Sequence, residues 1–369
     1  LARHRPGLAV ALIEAGETLG GNHRWSWFAS DLSPAGAQLL EPFSKAEWDG
    51  GYDVRFPGLD RGFSTPYRSL ASADFDAGLR RVLPEGAILT GHPAAGLDEG
   101  GVTLGDGRRI GARAVIDCRG PAPSAHLSGG WQVFLGRHLR TDAPHGVGRP
   151  VIMDAAVAQP GAYRFVYLLP LSERELFVED TYYADDPALD VETLSARIEE
   201  YCAVHGWRSE RLGSETGVLP VIAGGDFAAF QAEQATPGVA LAGVRGGFVH
   251  PLTSYSLPQA VETALAVAGA AHLPGRELAA LLSARARQHW QATRFYRLLG
   301  RMLFGAARPE ERWRIFERFH RLPQPLIERF YAARSTPLDR ARVLCGRPPV
   351  PVGRALSALL RPFPQRDAA

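Results

Sequence analysis

Short apolar runs divide the first 250 residues and predict strands. The run at residues 8–13 is continuously apolar and ends in Glu14, which predicts a buried parallel strand. Residues 102–117 form two apolar segments around the letters GDG at 105–107, and the Asp-Gly pair predicts a hairpin turn. Further short runs predict strands at residues 52–57 and 239–243.

Two strand-like runs at residues 163–169 and 175–183 predict an antiparallel pair in a sheet-rich middle domain. The second run contains two adjacent carboxylates, Glu179 and Asp180, among apolar, β-branched and aromatic residues. Strands are depleted in Asp and Glu, and a charge in an apolar setting costs several kcal/mol unless it is paired or neutralised. Either the pair faces water at a sheet edge, or one carboxyl stays protonated in an apolar pocket and donates a proton.

Strand geometry separates these two acids. Successive side chains of a strand point to opposite faces, so a regular strand places Glu179 with Phe177 and Thr181, and Asp180 on the other face. The two carboxyls therefore cannot share one proton unless a bulge turns both to the same side. The pattern by itself leaves open which of them faces a pocket.

Helical periodicity dominates the last third of the chain. Earlier helices are predicted at residues 75–83, 191–205 and 259–271. The segment from Arg285 to Arg361 contains 17 arginines against 5 acids. Its apolar positions recur at helical spacing and include Trp290, Phe295, Tyr296, Leu298, Leu299, Met302, Trp313, Phe316 and Phe319.

This mixture of arginines and aromatic side chains is typical of a segment that lies on an anionic membrane surface. Nucleic-acid binding would use similar charge, but the sequence has no nucleic-acid fold motif, and the aromatic residues follow helical spacing. No nucleic-acid partner is therefore predicted. The alternative without a partner is a solvated helical face.

Composition limits the fold class and the compartment. The chain has 369 residues, 46% hydrophobic and 22% charged, which is enough for two domains or one large α/β body. Its three cysteines are far apart and lack a CxxC motif, which argues against a disulfide framework or a zinc site and fits a reducing, cytoplasmic compartment. No run of 18 apolar residues, signal peptide, P-loop, Ser-His-Asp order or metal-ligand spacing is found.

The first strand carries one sign of a dinucleotide-binding fold. Residues 1–6 look like the end of a helix, and a strand that follows a helix and ends in an acid is typical of the second half of a βαβ unit. In such a unit the acid, here Glu14, binds the ribose of the nucleotide. The G-x-G-x-x-G turn that opens the unit is not in this sequence, so a truncated, flavin-free and inactive fragment is one alternative interpretation.

Several motifs together resemble one known family. They are LGGNHRWS at 19–26, YDVRF at 52–56, YLLP at 167–170, EDTYY at 179–183, HPLTSYSLP at 250–258, and the segment 294–351 with RWR at 312–314 and GRPPVP at 346–351. In this combination they are similar to the bacterial lycopene β-cyclases, over essentially the whole chain. Two residues depart from the family pattern: Arg24 stands where the family usually has Thr, and Ser254 where it usually has Gly.

The resemblance implies an α/β (mixed α+β) fold of the glutathione-reductase-like class. It would combine a Rossmann-type FAD/NAD(P)-binding domain, an inserted antiparallel β-sheet substrate domain, and a C-terminal helical region. The implied boundaries are 1–60, 85–125 and 236–275 for the FAD domain, 61–84 and 126–235 for the substrate domain, 276–360 for the basic, membrane-contacting helices, and 361–369 for a disordered tail.

The resemblance also implies an activity. It is the redox-neutral cyclisation of both ψ-ends of lycopene, which gives β-carotene through γ-carotene. It requires reduced FAD, with NAD(P)H as the electron donor, and would take place at the cytoplasmic membrane surface. A related flavin-dependent oxidoreductase, such as a prenyl reductase or a monooxygenase, is the second candidate.

Site residues follow from the same resemblance, position by position. Glu179 would be the essential acid, with Asp180 beside it as a structural or hydrogen-bonding partner. The cofactor-binding residues would be Glu14 at the ribose, Gly20, Gly21, Asn22 and His23 along the flavin, Gly120 at the end of the strand that passes the cofactor, and Gly243, Gly246, Gly247, His250, Pro251 and Ser254 under the pyrophosphate and the ring. A Cβ at Ser254 would crowd the flavin.

Cyclisation of an isoprenoid alkene needs a strong acid, faces that stabilise a cation, and a base. A carboxyl in an apolar pocket has a raised pKa and suits the first role. Candidate bases are His23 and His250, and the alternative for each is a hydrogen-bonded loop histidine without a catalytic role. Glu215 is another acid near an apolar strand, and its alternative is a solvated turn. Aromatic faces contribute about 0.5–2 kcal/mol each to cation stabilisation. The candidates are Trp25, Trp27, Tyr163, Phe165, Tyr167, Phe177, Tyr182 and Tyr183.

Overall fold

In a computed structural model, the chain is described over residues 1–120, 124–346 and 350–360. The strands in these ranges are β1 (Leu12–Ile13), β2 (Arg24–Phe28), β3 (Ala46–Trp48), β4 (Tyr52–Phe56), β5 (Leu59–Phe63), β6 (Tyr67–Ala71), β7 (Ile88–Leu89), β8 (Ala94–Asp98), β9 (Gly101–Leu104), β10 (Arg109–Gly111), β11 (Ile116–Asp117), β12 (Leu127–Thr141), β13 (Val151–Asp154), β14 (Tyr163–Pro170), β15 (Glu175–Ala184), β16 (Ser209–Gly225) and β17 (Ala240–Leu241). The tail predicted for 361–369 lies outside the described residues.

The α-helices of the same ranges are α1 (Pro34–Leu40), α2 (Ser72–Val82), α3 (Val191–Val204), α4 (Phe227–Gln234), α5 (Leu257–Gly269), α6 (Gly275–Ala292), α7 (Arg294–Ala306), α8 (Trp313–His320), α9 (Gln324–Tyr331), α10 (Pro337–Leu344) and α11 (Val352–Leu360). Short 3-10 turns lie at Ala29–Asp31, Val244–Gly246 and Pro309–Glu311. The helices predicted at 75–83, 191–205 and 259–271 correspond to α2, α3 and α5, with ends that differ by up to three residues.

A seven-stranded sheet in the order β16-β12-β15-β14-β13-β4-β5 forms the centre of the molecule. Neighbouring strands are antiparallel except β13 and β4, which run parallel. The predicted antiparallel pair at 163–169 and 175–183 is confirmed as β14 and β15. Because β15 has a strand on each side, its two acids do not lie at a sheet edge.

Smaller sheets surround this centre. Two parallel pairs, β1 with β7 and β11 with β17, carry the dinucleotide-binding pattern. Two antiparallel sheets have the orders β2-β6-β3 and β10-β9-β8, and the predicted GDG hairpin joins β9 to β10. The parallel pairs approach each other, because Ile13 of β1 packs with Val115 and Val239, which precede β11 and β17.

Two sequence predictions in the amino-terminal region were wrong. The buried strand expected at 8–13 is reduced to Leu12 and Ile13. These two residues are only half-buried, because among the described residues β1 has a neighbouring strand, β7, on one edge only. Residues 1–6 form turns and not the end of a helix.

The strand predicted at 52–57 is found as β4, and it joins the large sheet. The predicted boundary of 1–60 would place it in the cofactor domain, but β4 hydrogen-bonds to β13 and β5 in the seven-stranded sheet. The physical reason is its alternation: Tyr52, Val54 and Phe56 point to one face of the sheet and are buried in its aromatic core. The remaining domain boundaries stay a prediction.

The two faces of the large sheet have different cores. One face carries an aromatic core, including Phe165, Phe177 and Tyr183, which is covered by side chains of α7, α8 and α9. The other face is aliphatic, with Val166 and Val178 packed against α3. The side-chain alternation of β15 therefore sends neighbouring residues into different environments.

The C-terminal aromatic residues do not form the membrane-facing surface that the sequence predicts. Phe295 and Tyr296 are buried, and Trp313, Phe316 and Phe319 pack against the aromatic core. These aromatic side chains attach the helices to the sheet, because they bury a large apolar area against it. The exposed apolar side chains of this region are instead Leu338, Leu344, Leu356 and Leu360.

Candidate active site

Glu179 lies in the middle of β15, on the aromatic face of the large sheet. It shares that face with Phe177 and Tyr183, and the Thr181 hydroxyl donates a hydrogen bond of 2.7 Å to its Oε1. The side chain keeps some accessible surface although buried residues surround it. The pKa of Glu179 is raised to about 8. Burial is the largest cause, and the negative charge of the nearby Glu215 is the second. A carboxyl with this pKa is protonated at neutral pH and can act as a general acid.

Asp180 points to the opposite, aliphatic face and is fully buried there. Arg164 contacts both carboxylate oxygens: its Nε lies 3.2 Å from Oδ1 and 2.9 Å from Oδ2, and its Nη2 lies 2.6 Å from Oδ2. Burial raises the pKa of Asp180 and the Arg164 guanidinium opposes that shift. This two-oxygen contact pairs Asp180 with Arg164 on the face away from Glu179.

Glu215 faces Glu179 across one intervening strand. Gly136 of β12 is the register partner of Glu179 on β15 and also of Glu215 on β16, so all three residues point to one face. The intervening position has no side chain, and a Cβ there would lie 3.1 Å from Glu215 Cγ and would overlap the Phe177 ring. Glu215 is buried, which raises its pKa to about 7.

Arg24 is the cation nearest to these two acids. It lies at the start of β2, its Nη1 donates to Ser69 Oγ at 3.4 Å, and its guanidinium carbon is 5.3 Å from the centre of the Phe177 ring. Its charge lowers the pKa of Glu215 and of Glu179, against the larger effect of burial. Arg24 therefore moderates both pKa values through its charge.

Tyrosines line the other side of Glu179. Tyr167 on β14 is its register partner, and the Tyr167 hydroxyl lies 3.2 Å from the hydroxyl of Tyr255. Tyr255 in turn lies 3.4 Å from Tyr67 on β6. Burial raises the pKa of all three phenols, so they stay neutral and offer π faces and hydroxyl dipoles beside the acid.

The loop at 20–23 approaches the carboxylates. Gly20 and Gly21 have positive φ angles of 82° and 63°, and a Cβ on Gly20 would lie 2.8 Å from the Trp25 ring. Asn22 donates from Nδ2 to the Ser214 carbonyl at 2.7 Å, one residue before Glu215. His23 is held through its backbone by Ser72, and burial lowers its pKa.

The segment 250–255 crosses the large sheet near the same place. The Pro251 carbonyl accepts from Ile222 N at 2.7 Å, and Ser254 Oγ donates to the Pro220 carbonyl at 2.9 Å, so both are fixed to β16. Ser254 has a φ of 60°, the left-handed conformation that favours glycine, which is the usual family residue at this position. Its hydroxyl is hydrogen-bonded to β16. Of the Ser254 side chain, only the Cβ is therefore left to crowd a flavin.

His250 is a structural histidine. It is buried, its Nε2 donates to the Phe330 carbonyl at 3.2 Å, and its Nδ1 accepts from the backbone N–H groups of Leu252 and Thr253, each at 3.3 Å. Burial lowers its pKa to about 3. With both ring nitrogens engaged and the neutral form favoured, it has no nitrogen left to accept a proton from substrate.

The remaining cofactor candidates lie at the carboxyl ends of the parallel strands. Glu14 follows β1 and accepts a hydrogen bond of 2.9 Å from Gly16 N. Gly243 follows β17 with a φ of 58°, and Gly246 and Gly247 continue through a 3-10 turn. Gly120 lies three residues beyond the end of β11 and is exposed, so it does not end the strand itself as predicted.

Sequence reasoning missed the partnership of Glu215 with Glu179. Both acids were noted, but their neighbourhood depends on the registers of β12 with β15 and of β12 with β16, which no local pattern encodes. Gly136 was the available signal, because a glycine inside a long strand often marks a close approach.

The fold agrees with known flavoproteins. The chain is similar to a solved triple mutant of a flavin-dependent brominase, over 92% of both chains, with a TM-score of 0.60 and 14% identity. It is also similar to a geranylgeranyl bacteriochlorophyll reductase-like protein from Thermoplasma acidophilum, over 92% of this chain and 90% of that one, with a TM-score of 0.57 and 12% identity. Such identities show the fold alone. The predicted fold class, a mixed α/β fold of the flavoprotein type, is confirmed.

Fold and site together define an enzyme of the α/β flavoprotein class that presents a buried carboxylic acid. The family model described as "Lycopene cyclase protein" matches residues 1–357. The chain is 44% identical to lycopene beta-cyclase of Pseudescherichia vulneris, over 99% of this chain and 94% of that protein. It is 42% identical to the Paracoccus enzyme of the same name, over 96% and 91% of the two chains. The chain belongs to the lycopene cyclase family, which confirms the resemblance.

Proposed function

We propose that this chain is a lycopene β-cyclase that converts ψ-ends of lycopene into β-rings without net redox change, through γ-carotene to β-carotene. The observation that supports it most directly is the enclosure of the Glu179 carboxyl on an aromatic face, where burial raises its pKa to about 8. Protonating an alkene needs an acid that is neutral near physiological pH and is surrounded by apolar surface.

In this proposal Glu179 donates its proton to the terminal alkene of a ψ-end. Phe177 and Tyr167 lie beside the acid, and their π faces would stabilise the cation that forms. Thr181 orients the acid through its 2.7 Å hydrogen bond to Oε1. Asp180 acts as a positioning residue: its ion pair with Arg164 fixes β15, and its charge raises the pKa of Glu179.

The described residues fit an FAD cofactor. At the carboxyl ends of the parallel strands, a Cβ on Gly120 or Gly243 would meet no atom of the described residues within 4 Å, so neither position blocks the edge where this class of fold binds a dinucleotide. Glu14 would hold the ribose there. When bound, reduced FAD would supply negative charge near the cation, with NAD(P)H as the source of its electrons.

The other residues inferred to hold the cofactor are the loop and segment that reach β16. They are Gly20, Gly21, Asn22 and His23 in the loop, and Gly246, Gly247, His250, Pro251 and Ser254 in the segment that follows β17. Asn22 contacts β16 at Ser214, next to Glu215, and Ser254 contacts the same strand at Pro220, so the loop and the segment would hold the cofactor against the strand that carries Glu215.

A membrane surface is the inferred source of the substrate. None of the helices in the described parts of the chain is long and apolar enough to cross a bilayer. Leu338 and Leu360 are more than 80% exposed, and Leu344 and Leu356 about half exposed, in a region with 17 arginines against 5 acids. Exposed leucines on a basic surface favour peripheral contact with an anionic leaflet, where a carotenoid dissolves.

Two assays test the proposal. Expression in cells that accumulate lycopene should change their colour from red to orange-yellow, with β-carotene as the product. Purified protein given FAD, NAD(P)H and lycopene in vesicles should form β-rings faster on anionic than on neutral vesicles. Oxygen consumption, or NAD(P)H oxidation that is stoichiometric with product, would instead identify an oxidoreductase and contradict the cyclase.

A further inference from the structure

The aromatic face of the large sheet holds a second acid in register with Glu179. Glu215 is separated from Glu179 by one strand, and that strand contributes Gly136 at the shared position. Gly136 leaves room on this face for the Phe177 ring, which occupies the space where a Cβ would lie, with Glu215 Cγ 3.1 Å from the same point. Glu179 and Glu215 thus flank one aromatic ring on one face of the sheet, close enough for the charge of Glu215 to raise the pKa of Glu179.

We propose that Glu215 is the catalytic base of the cyclisation, so that Glu179 and Glu215 work as one acid–base pair across Gly136. The inference rests on the proposed cyclase function and adds a named residue for the second half of the reaction. It makes Glu215, and not a histidine, the group that removes the proton after ring closure.

The atoms balance within the substrate and the two carboxyls. The O–H bond of Glu179 breaks as a C–H bond forms at the terminal alkene, which leaves a tertiary cation. The second alkene of the ψ-end attacks that cation, so that a ring C–C bond forms and a new tertiary cation appears. A C–H bond at the adjacent ring carbon then breaks, its electron pair completes the ring double bond, and the proton passes to the Glu215 carboxylate.

The geometry of the substrate suits such a pair. The carbon that gains a proton and the carbon that loses one are both bonded to the same quaternary carbon of the new ring. Acid and base must therefore act close together, as carboxyls on adjoining rows of one sheet face can. Transfer of the proton from Glu215 back to Glu179 would restore both groups without any other reactant.

The groups around the pair suit these opposite roles. Arg24 from β2 lowers the pKa of both acids, Tyr67 and Tyr167 are neutral phenols, and Asp74 of α2 lies close enough to Arg24 to interact with its charge. Burial raises the pKa of both carboxyls, and the negative charge of Glu215 raises that of Glu179 further. Two nearby carboxyls in one apolar site hold a single proton near neutrality, because the second ionisation is opposed by the first.

The histidine candidates fit this role less well. His250 has both ring nitrogens in hydrogen bonds within the protein. His23 packs its ring edge-on against Trp25, with ring centroids 6.1 Å apart. Neither is in register with Glu179.

The test compares Glu215→Gln and Glu215→Asp with the control Glu210→Gln, a change to an exposed glutamate of the same strand. Each purified variant is loaded with FAD and NAD(P)H and assayed on lycopene in anionic vesicles, and the ring isomers are separated. Glu215→Gln should lower the rate of ring formation by about 10² or more. Its residual rings should include isomers with a displaced double bond, since the cation then loses a proton from another carbon.

Conservative replacement separates a base from a structural residue. Glu215→Asp keeps a carboxylate and should recover at least a tenth of the control rate, with β-rings as product. The inference is overturned if Glu215→Gln forms β-rings alone, if it stays within threefold of Glu210→Gln, or if it forms no ring while Glu215→Asp is equally inactive. Failure of the unaltered chain to cyclise lycopene would instead contradict the proposed function.

Discussion

Glu179 and Asp180 are neighbours in sequence, yet the two faces of the large sheet give them opposite chemistry. On the aromatic face, Glu179 has a hydroxyl donor, a second acid and a moderating arginine, and its pKa is raised to about 8. On the aliphatic face, Asp180 is bound at both oxygens by Arg164. Burial is common to both acids, so the difference comes from the partner on each face. One face keeps a proton available, and the other fixes a charge.

The largest expected effect is on the aromatic face. Glu179→Gln removes the acidic proton while keeping the shape of the side chain, so the rate of ring formation should fall by about 10²–10⁴. Its stability at neutral pH should not fall, because an uncharged amide replaces a carboxyl that is costly to ionise there. Product analysis in lycopene-accumulating cells and thermal unfolding of the purified variant measure the two quantities. A Glu179→Gln variant that retains more than a tenth of the activity would contradict the assignment of the acid.

The corresponding change on the aliphatic face should act on stability. Asp180→Asn leaves the Arg164 guanidinium buried without its counter-ion, so the free energy of unfolding should fall by about 3–5 kcal/mol. Below its melting temperature the variant should keep activity within about tenfold of the original chain, because Asp180 does not reach the aromatic face.

Glu175→Gln is the matched control for Asp180→Asn. Glu175 is on the same strand, and its ion pair with Arg140 at 3.0 Å is partly exposed, so its loss should cost less than about 1 kcal/mol. Chemical denaturation of all three chains gives the comparison. If Asp180→Asn lost catalysis while it remained folded, the division of roles between the two faces would be wrong.

The sequence was sufficient for one half of this comparison. Alternation along residues 175–183 correctly predicts that Glu179 and Asp180 point to opposite faces, since period-two geometry is local. It could not identify Arg164 as the partner of Asp180, because their proximity depends on the register of β14 with β15. The resemblance to a family, and not the pattern, indicated Glu179 as the acid.

Other elements show the same limit. The strand at 52–56 was recognised, but its partners β13 and β5 were not, because alternation predicts that a segment is a strand and does not predict which strands lie beside it. The aromatic stripe of the C-terminal helices was recognised but turned towards the membrane, whereas Phe295, Tyr296 and Phe319 pack inward. An amphipathic pattern marks which face of a helix is apolar, and only the tertiary contacts determine what covers that face.

The smallest expected effect comes from Arg24, which acts on both acids of the aromatic face without forming a tight pair. Arg24→Thr, which introduces the usual family residue, removes a charge that lowers the pKa of Glu179 and Glu215, so both pKa values should rise. The alkaline limb of the rate profile, set by loss of the Glu179 proton near pH 8, should therefore move upwards, by about one pH unit or less.

The pH dependence of the stability of the Arg24 variant tests the same pKa change independently of the rate. A carboxyl whose pKa is raised by folding holds a proton that the unfolded chain releases near pH 4.5, so stability is highest below that pH and declines until the folded pKa of about 8 is passed. Arg24→Thr should extend this decline to higher pH, whereas Arg109→Thr, at an exposed pair with Asp98, should leave it unchanged. Unfolding measured from pH 5 to pH 9 decides the point. An alkaline limb that moves downwards would show that Arg24 does not act on the carboxyl pair through its charge, and only Thr181 and Glu215 would then be left as the partners that distinguish the aromatic face.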